Sequence, residues 1–304
     1  KNFNKKKNTS IHSGPATRKL AREFGIDLNQ ITGSGPSNRI LKEDLHNYVK
    51  NILNNTSANN TVSSKPNIDF SIWGSIKEEK LTKFKKTALD NLHSSWVNIP
   101  HVTQHDEADI SDLLELRLKL NKKHKVKISP LAYIVKSTAE SLKHFPEMNS
   151  SLSNDKELII YKDYFNIGIA IDTDDGLIVP NIKNANEKTI SEISIEISKL
   201  SELAKKRRIT KDMMTGATFT ISSLGGFGGR FFTPIINPPE VGILGLSKIH
   251  DIVKLNRSTP YSKKYLPMSL SYDHRVINGV YAVNFLNHLI SGFSDIKFLE
   301  KSFN

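Results

Sequence analysis

The 304-residue sequence contains no cysteine, which excludes disulfides, thiolate zinc sites and a cysteine nucleophile for this chain. It also has no apolar run long enough to cross a bilayer, so no transmembrane helix and no membrane partner are predicted. The basic stretch from Lys1 to Lys7 lacks the apolar core of a signal peptide. Because the first residue is lysine, we expect the chain to be a fragment or a processed product.

Positive charge is concentrated at the start of the chain. Lysine and arginine number 43 against 31 acidic residues, which gives a net charge of +12, and residues 1–75 carry +6 of it. Such a concentration is compatible with nucleic-acid binding. However, aromatic residues are not interleaved with the basic ones there, so no nucleic-acid partner is expected. The overall composition, with 38% hydrophobic and 24% charged residues, is that of an ordinary folded protein with a sizeable core.

Changes in composition divide the chain into two candidate domains and two linkers. The predicted segments are a linker (1–13), a small helical domain (14–50), a linker rich in Asn, Ser and Thr (51–75) and a larger domain (76–304). In the small domain, apolar spacing predicts one helix from Ala16 to Phe24, ended by Gly25, and a second from Lys42 to Lys50.

Local signals in the larger domain indicate both helices and strands. Pro130 after Ser129 opens one helix, and Thr189 with Glu192 forms a capping box that opens another. A final helix begins near Gly279. Strands are predicted at 157–162, 165–171, 177–179, 218–222, 241–246 and 267–271. Because strands and helices do not alternate strictly, the sequence predicts an α/β sandwich around a mixed sheet.

Two residues at predicted strand ends are candidates for chemistry. His274 follows a strand-like run and precedes Gly279, so its side chain can be held rigidly as a general base. Ser222 begins a stretch rich in serine and glycine. The pair suggests a hydrolase, but no G-x-S-x-G elbow is present, and the glycines do not have the spacing of a phosphate-binding loop. From the residues alone, the segment is a tight loop, a hydrogen-bond donor site or, least favoured, a nucleophile site.

Several segments resemble a known family. Residues 14–50 resemble the peripheral subunit-binding domain of 2-oxoacid dehydrogenase complexes, and residues 76–304 resemble the catalytic domain of their E2 component, dihydrolipoamide acyltransferase. The matching segments of the larger domain are IPHVTQHDEADI, DDGLIVPNI, FTISSLGGFGG, TPIINPPEVGILGLSK and SLSYDHRVING. They are nearest to the acetyltransferase of the pyruvate complex. The resemblance implies a sandwich similar to that of chloramphenicol acetyltransferase.

The resemblance also implies an activity, the transfer of an acyl group between dihydrolipoamide and coenzyme A. His274 occupies the histidine of the family motif DHRxxDG, where it would be the general base. Ser222, 52 positions earlier, would donate a hydrogen bond to the developing oxyanion rather than attack. Asn278 stands where the family commonly has aspartate, and it can orient neighbours by hydrogen bonds without carrying charge.

Further expectations follow from the same resemblance. Arg18, Arg22 and Arg39 would contact E1 or E3 electrostatically. The chain would form a homo-oligomer built from trimers, with each site between neighbouring chains. Lipoate would be attached to a lipoyl domain upstream of these residues, and no metal is expected. The resemblance implies the cytoplasm of a bacterium or the mitochondrial matrix of a eukaryote as the location.

Three alternatives remain open. The chain could be the E2 component of a succinyl or branched-chain complex, which shares the histidine motif. It could be a non-catalytic scaffold that recruits E3, although such proteins lose the histidine that this chain keeps at His274. It could also be a small-molecule acetyltransferase of the chloramphenicol type, but those lack a subunit-binding module such as residues 14–50.

Overall fold

A computed structural model describes residues 12–56, 68–257 and 259–303. The chain divides into two compact units, Lys1–Glu78 and Glu79–Asn304. Most of the first predicted linker (residues 1–11) and part of the second (residues 57–67) lie outside the described residues.

The smaller unit is built from two helices. They are α1 (Pro15–Glu23) and α2 (Lys42–Thr56), accompanied by single turns of 3₁₀ helix at Leu28–Gln30, Pro36–Asn38 and Phe70–Trp73. Gly25 follows α1 with φ +66°, the left-handed conformation predicted for a helix stop. One expectation was wrong in detail: α2 continues to Thr56, beyond the predicted end at Lys50 and into the segment predicted as linker.

The loop between these helices depends on a left-handed backbone. Asn38 has φ +56°, as expected of a residue that tolerates this region. Gly33 packs directly against it, because a Cβ atom at Gly33 would lie 2.4 Å from the carbonyl oxygen of Asn38. The carboxylate of Asp44 then accepts hydrogen bonds from the backbone N–H groups of Ser34 and Leu41, both at 2.9 Å. These contacts fix the loop that carries Arg39.

The larger unit contains six helices and ten strands in its described residues. The helices are α3 (Lys83–Asn98), α4 (Ser111–His124), α5 (Pro130–His144), α6 (Ile190–Lys205), α7 (Gly279–Ser294) and α8 (Ile296–Lys301). The strands are β1 (His101–Asp109), β2 (Ser150–Leu152), β3 (Ile159–Tyr161), β4 (Ile167–Thr173), β5 (Gly176–Ile178), β6 (Asn181–Ile182), β7 (Phe219–Ser223), β8 (Gly242–Leu246), β9 (His250–Asn256) and β10 (Thr259–Asp273).

Eight of these strands form one mixed sheet in the order β1-β10-β8-β7-β4-β5, with β6 beside β4 and β9 beside β10. The pairs β4/β7 and β7/β8 are parallel, whereas β1/β10 and β10/β8 are antiparallel. Strands β2 and β3 form a separate hairpin. The predicted α/β sandwich around a mixed sheet is therefore confirmed.

The two faces of the large sheet differ in chemistry. Side chains alternate along a strand, and residues paired across strands point to the same face. One face carries large apolar side chains such as Phe219, Ile221 and Leu270, which share a core with α6 and α7. The ring of Phe219 lies 5.8 Å from that of Phe285 in α7. The other face carries mostly small or polar side chains, namely Ala170, Thr220, Ser222, Gly245, Ser269 and Ser271, together with Ile243.

Candidate active site

Ser222 lies on the small, polar face of the sheet beside a cavity. It is in the middle of three neighbouring strands, paired with Ala170 of β4 and Gly245 of β8. Its side chain is half-buried and lines a cavity of about 260 Å³. The neighbouring Ser223 points to the opposite face, because successive side chains alternate. Strand β7 thus presents one serine to the cavity and turns the next away.

The cavity is mainly apolar. Its walls come from α3, from β4, β5, β7 and β8, and from a segment that precedes β8. The lining residues are Asn91, Leu92, Ser95, Ala170, Leu177, Val179, Thr220, Ser222, Phe232, Pro234, Ile235, Ile236, Asn237, Pro238 and Ile243. Few polar side chains face this space, so a hydrogen-bond donor such as Ser222 acts with little competition from water.

Phe232 forms the wall next to Ser222, and it requires a glycine beneath it. A Cβ atom at Gly245 would lie 2.6 Å from the ring of Phe232. The ring therefore covers the position in β8 that is paired with Ser222. The backbone N–H of Phe232 donates to the hydroxyl of Ser269 at 3.4 Å, which ties the same residue to β10.

His274 immediately follows β10 and is exposed. Its backbone N–H donates to the carbonyl oxygen of Pro100 at 3.1 Å, and its ring lies 5.9 Å from that of Tyr272. Among the described residues, its imidazole has no hydrogen-bond partner. The prediction that this histidine ends a buried strand is confirmed, since the last eight residues of β10 are buried.

The residues on either side of His274 form an ion pair that fixes its backbone. The guanidinium of Arg275 donates to the buried carboxylate of Asp273 from Nε at 2.9 Å and from the terminal nitrogen at 2.6 Å. The backbone N–H of Arg275 donates to the same carboxylate at 3.0 Å. Such bidentate pairs have defined geometry. The turn that holds the imidazole is therefore rigid even though the imidazole itself is exposed.

Asn278 is the N-cap of α7. Its side-chain oxygen accepts a hydrogen bond from the backbone N–H of Tyr281 at 2.9 Å, which satisfies one of the unpaired donors at the helix start. This is the hydrogen-bonding role that the sequence allowed, directed here at the backbone of α7. The neighbouring Gly279 is the first residue of the helix, as predicted.

Ser222 and His274 are far apart within one chain. Ser222 pairs with Gly245, Gly245 pairs with Ser269, and His274 lies five positions beyond Ser269. With about 3.3 Å per residue along a strand and about 4.8 Å between strands, the backbone positions of the two residues are roughly 19 Å apart. Groups that act on the same reacting atoms must come within about 3 Å of them. One chain therefore does not bring these two candidates together.

The three arginines of the smaller unit are exposed and lie close together. Arg18 and Arg22 are one helical turn apart on α1, and Nε of Arg18 donates to the hydroxyl of Ser13 at 3.0 Å. The guanidinium of Arg39 reaches the same end of the helix, because a Cβ atom at Gly14 would lie 3.4 Å from it. The structure thus places Arg39 next to the start of the helix that carries Arg18 and Arg22.

Residues around the cavity that the sequence analysis did not identify include a buried acid. Glu240 is 2% exposed, and its carboxylate accepts a hydrogen bond from the side chain of Asn237 at 2.9 Å. Burial raises the pKa of Glu240 to about 7, although hydrogen bonds from Thr220 and Asn237 and the charge of Lys162 oppose the shift. The only signal in the sequence was an isolated acidic residue inside the otherwise apolar segment TPIINPPEVGILGLSK.

Residues 12–56, 68–257 and 259–303 contain no cluster of three or more His, Asp or Glu side chains placed to hold a metal ion. Over the same residues, no helix combines the length and apolar character that crossing a bilayer requires.

Comparison with protein families identifies both units. The model for 2-oxoacid dehydrogenases acyltransferase (catalytic domain) matches residues 74–299, and the model for the e3 binding domain matches residues 11–46. The first match alone covers more than half of the chain. The chain therefore belongs to the 2-oxoacid dehydrogenase acyltransferase family.

Two similar relatives are acetyltransferase components of pyruvate dehydrogenase complexes. The chain is 43% identical over 292 residues to the dihydrolipoyllysine-residue acetyltransferase component of the pyruvate dehydrogenase complex of Cupriavidus necator, covering 91% of this chain and 52% of the relative. It is 45% identical over 307 residues to the protein of the same name from Buchnera aphidicola of Acyrthosiphon pisum, covering 98% of this chain and 76% of that one. The chain thus spans only about half the length of the first of these relatives.

Solved structures of a dihydrolipoamide acetyltransferase and of a pyruvate dehydrogenase core are also similar to this chain. The chain is 41% identical to the dihydrolipoamide acetyltransferase of Azotobacter vinelandii, with a TM-score of 0.75 over 78% of this chain and 99% of that one. In that enzyme, a serine, a histidine and an asparagine were investigated for their role in the catalytic mechanism. The cubic core of the pyruvate dehydrogenase multienzyme complex matches at 42% identity, with a TM-score of 0.75, over the same shares of the two chains.

Proposed function

We propose that this chain transfers an acetyl group between coenzyme A and the dihydrolipoyl arm of a lipoyl domain, as the E2 component of a pyruvate dehydrogenase complex. The names of the relatives support the acetyl group over larger acyl groups. The observation that carries the proposal is a shared spacing. Ser222, His274 and Asn278 are separated by 52 and four positions, the same separations as the serine, histidine and asparagine of the Azotobacter enzyme.

In this proposal, His274 is the general base. Both acyl acceptors are thiols, which are mostly protonated at neutral pH, whereas the thiolate is the attacking species. The neutral imidazole takes the thiol proton as the new carbon–sulfur bond forms. It returns that proton to the departing sulfur when the old carbon–sulfur bond breaks. The exposed imidazole beside Tyr272 is open to an incoming thiol.

Ser222 stabilises the negative charge that develops on the thioester carbonyl oxygen. Its hydroxyl donates a hydrogen bond to that oxygen and keeps its own proton, so no acyl-serine forms. The apolar walls supply the environment in which a single donor is most effective. The same walls fit the aliphatic lipoyl arm and the pantetheine arm of coenzyme A, which present mainly CH₂ groups.

The complete site in this proposal lies between two chains of a homotrimer. The separation of roughly 19 Å between Ser222 and His274 within one chain supports this arrangement, because a neighbouring chain can supply the missing partner. Cyclic symmetry repeats the same heterologous contact around the ring, so every interface would carry one site. The match to a cubic pyruvate dehydrogenase core supports assembly of such trimers into a larger shell.

The smaller unit would bring E1 or E3 to this core through the basic cluster of Arg18, Arg22 and Arg39. The match to the e3 binding domain supports a partner of this kind. Lipoate enters the proposal as the substrate arm, covalently attached to a lipoyl domain, and no residue described here is assigned to hold it. We further propose the bacterial cytoplasm or the mitochondrial matrix as the location, where pyruvate dehydrogenase complexes would act.

The direct test is an acyl-transfer assay with acetyl coenzyme A and free dihydrolipoamide. We expect His274→Ala to lower kcat by about 10²- to 10⁴-fold, the usual contribution of a general base. Ser222→Ala should lower kcat by roughly 10²- to 10³-fold, the value of one oxyanion donor. Ser223→Ala and His46→Ala are matched controls, because Ser223 points to the other face of the sheet and His46 lies in the smaller unit.

Three outcomes would contradict parts of this proposal. An unaltered kcat in His274→Ala would refute the assignment of the base. A trapped acyl-serine in the wild-type chain would show that Ser222 attacks. A preference for succinyl or branched acyl coenzyme A over the acetyl form would assign the chain to another 2-oxoacid complex.

A further inference from the structure

One wall of the cavity is an irregular segment that is hydrogen-bonded by Ser95, which lines the cavity, and by His101 and Glu240, which do not. This wall segment, residues 234–238, contributes five consecutive residues to the lining of the cavity that Ser222 also lines. It has no strand partner of its own along these residues. Its position therefore depends on the hydrogen bonds that reach its backbone and its one polar side chain.

Ile236, at the centre of the wall segment, has both backbone polar groups bound by side chains. Its N–H donates to Nε2 of His101 at 3.0 Å, and its carbonyl oxygen accepts from the hydroxyl of Ser95 at 2.6 Å. The other ring nitrogen of His101 lies 2.8 Å from the carbonyl oxygen of Ile99, so it must carry the hydrogen. This pair of contacts fixes both the tautomer and the orientation of the imidazole.

The next residue, Asn237, is held by Glu240. The Asn237 side chain donates to one carboxylate oxygen of Glu240 at 2.9 Å, and the backbone N–H of Glu240 donates to the carbonyl oxygen of Asn237 at 3.1 Å. Glu240 is fully enclosed by the protein and makes no contact with the cavity itself. A buried carboxyl group is costly to retain unless it organises its surroundings.

We propose that His101 and Glu240 are positioning residues for acyl transfer, which hold the wall segment in register with Ser222 without touching either substrate. This inference rests on the proposed acyltransferase function. The two residues bind adjacent positions, Ile236 and Asn237, so together they fix the wall at its centre. Enzymes are sensitive to such support, because a displacement of about 1 Å in a substrate-binding wall can reduce the rate by about 10²-fold.

The test compares polar and apolar replacements in the full chain. In His101→Gln, an amide can still accept from Ile236 and donate to Ile99, whereas His101→Leu can do neither. Glu240→Gln keeps an acceptor for Asn237, whereas Glu240→Leu does not. His288→Leu is the matched control, since His288 is also half-buried with one side-chain hydrogen bond, at 3.1 Å to Ser141.

The measurements are the KM for dihydrolipoamide and the ratio of kcat/KM for acetyl to that for isobutyryl coenzyme A. We expect both leucine variants to raise the KM by about 10-fold and to lower the acetyl preference, because a displaced wall binds both substrates less selectively. Both glutamine variants and His288→Leu should retain wild-type values. A merely structural role would lower the amount of active enzyme, and hence the apparent kcat, without changing either quantity.

Unchanged KM and selectivity in the leucine variants would overturn the inference, as would glutamine variants as impaired as the leucine ones. If the leucine variants do not assemble, His101→Ala serves instead, because it removes the same hydrogen bond to the Ile236 N–H without placing an aliphatic side chain there. The same KM and selectivity criteria then apply to it. A wild-type chain that transfers no acyl group would contradict the proposed function instead.

Discussion

The capping role of Asn278 can be tested quantitatively. Because Asn278 caps α7 through the hydrogen bond from the N–H of Tyr281, Asn278→Ala should destabilise the catalytic unit by about 1 kcal/mol. For a unit of this size, that corresponds to a fall in Tm of about 2–4 °C. Asn278→Asp keeps the acceptor and adds negative charge at a helix N-terminus, so stability should be retained or slightly increased.

Activity separates the cap from any other role of the amide. We expect Asn278→Asp to change kcat by less than about 10-fold, or about 1.4 kcal/mol, because its carboxylate can accept the same hydrogen bond. Asn278→Gly is the control, since glycine preserves most of the capping stability but removes the amide. Calorimetry and the acyl-transfer assay give the two readouts. A loss of more than 10-fold in Asn278→Asp with an unchanged Tm would refute the reasoning, because it would show that the site requires a neutral donor here.

Two further predictions concern the docking module and the buried acid. Replacing Arg18, Arg22 and Arg39 together by alanine should weaken binding of E1 or E3 and leave acyl transfer unaffected. The affinity of the wild-type chain should fall with added salt. Titration calorimetry at two ionic strengths tests this, and an affinity unchanged by the triple substitution would contradict it. Burial raises the pKa of Glu240 from 4.5 to about 7. The protonated carboxyl group therefore contributes stability that is fully present below pH 4.5 and is lost as the pH rises through about 7. The loss in the free energy of unfolding is on the order of 3 kcal/mol. Glu240→Gln should flatten this decline in a series of melting curves, and an identical pH dependence in both proteins would show that the carboxyl does not titrate there.

Helix starts were predictable from the sequence because their signals are local. Pro130 begins α5, and the capping box of Thr189 and Glu192 is formed with both reciprocal hydrogen bonds at the start of α6. Strand extents were harder, because pairing joins residues distant in sequence. Strands β1, β2, β6 and β9 were not predicted. Strand β10 begins at Thr259 rather than near Pro267, since its first half is an exposed, basic hairpin strand without apolar alternation.

The candidate site was predictable only in part, because it also depends on contacts between residues that are distant in sequence. The resemblance singled out Ser222 and His274, but their separation within one chain follows from the register of three strands, which no local pattern encodes. The support of the wall segment was missed because His101 and Ile236 are 135 positions apart. In isolation, His101 is one of ten histidines, and nothing near it in the sequence indicates its partner.

The central claim, a site shared between chains, can be tested by complementation. Two inactive proteins, Ser222→Ala and His274→Ala, are unfolded, mixed in equal amounts and refolded together. Random assembly should place an intact Ser222 opposite an intact His274 at about a quarter of the interfaces, so activity should rise to about that fraction of the wild-type value. Activity that stays at the level of the single variants, in trimers shown by mass to be mixed, would contradict a shared site.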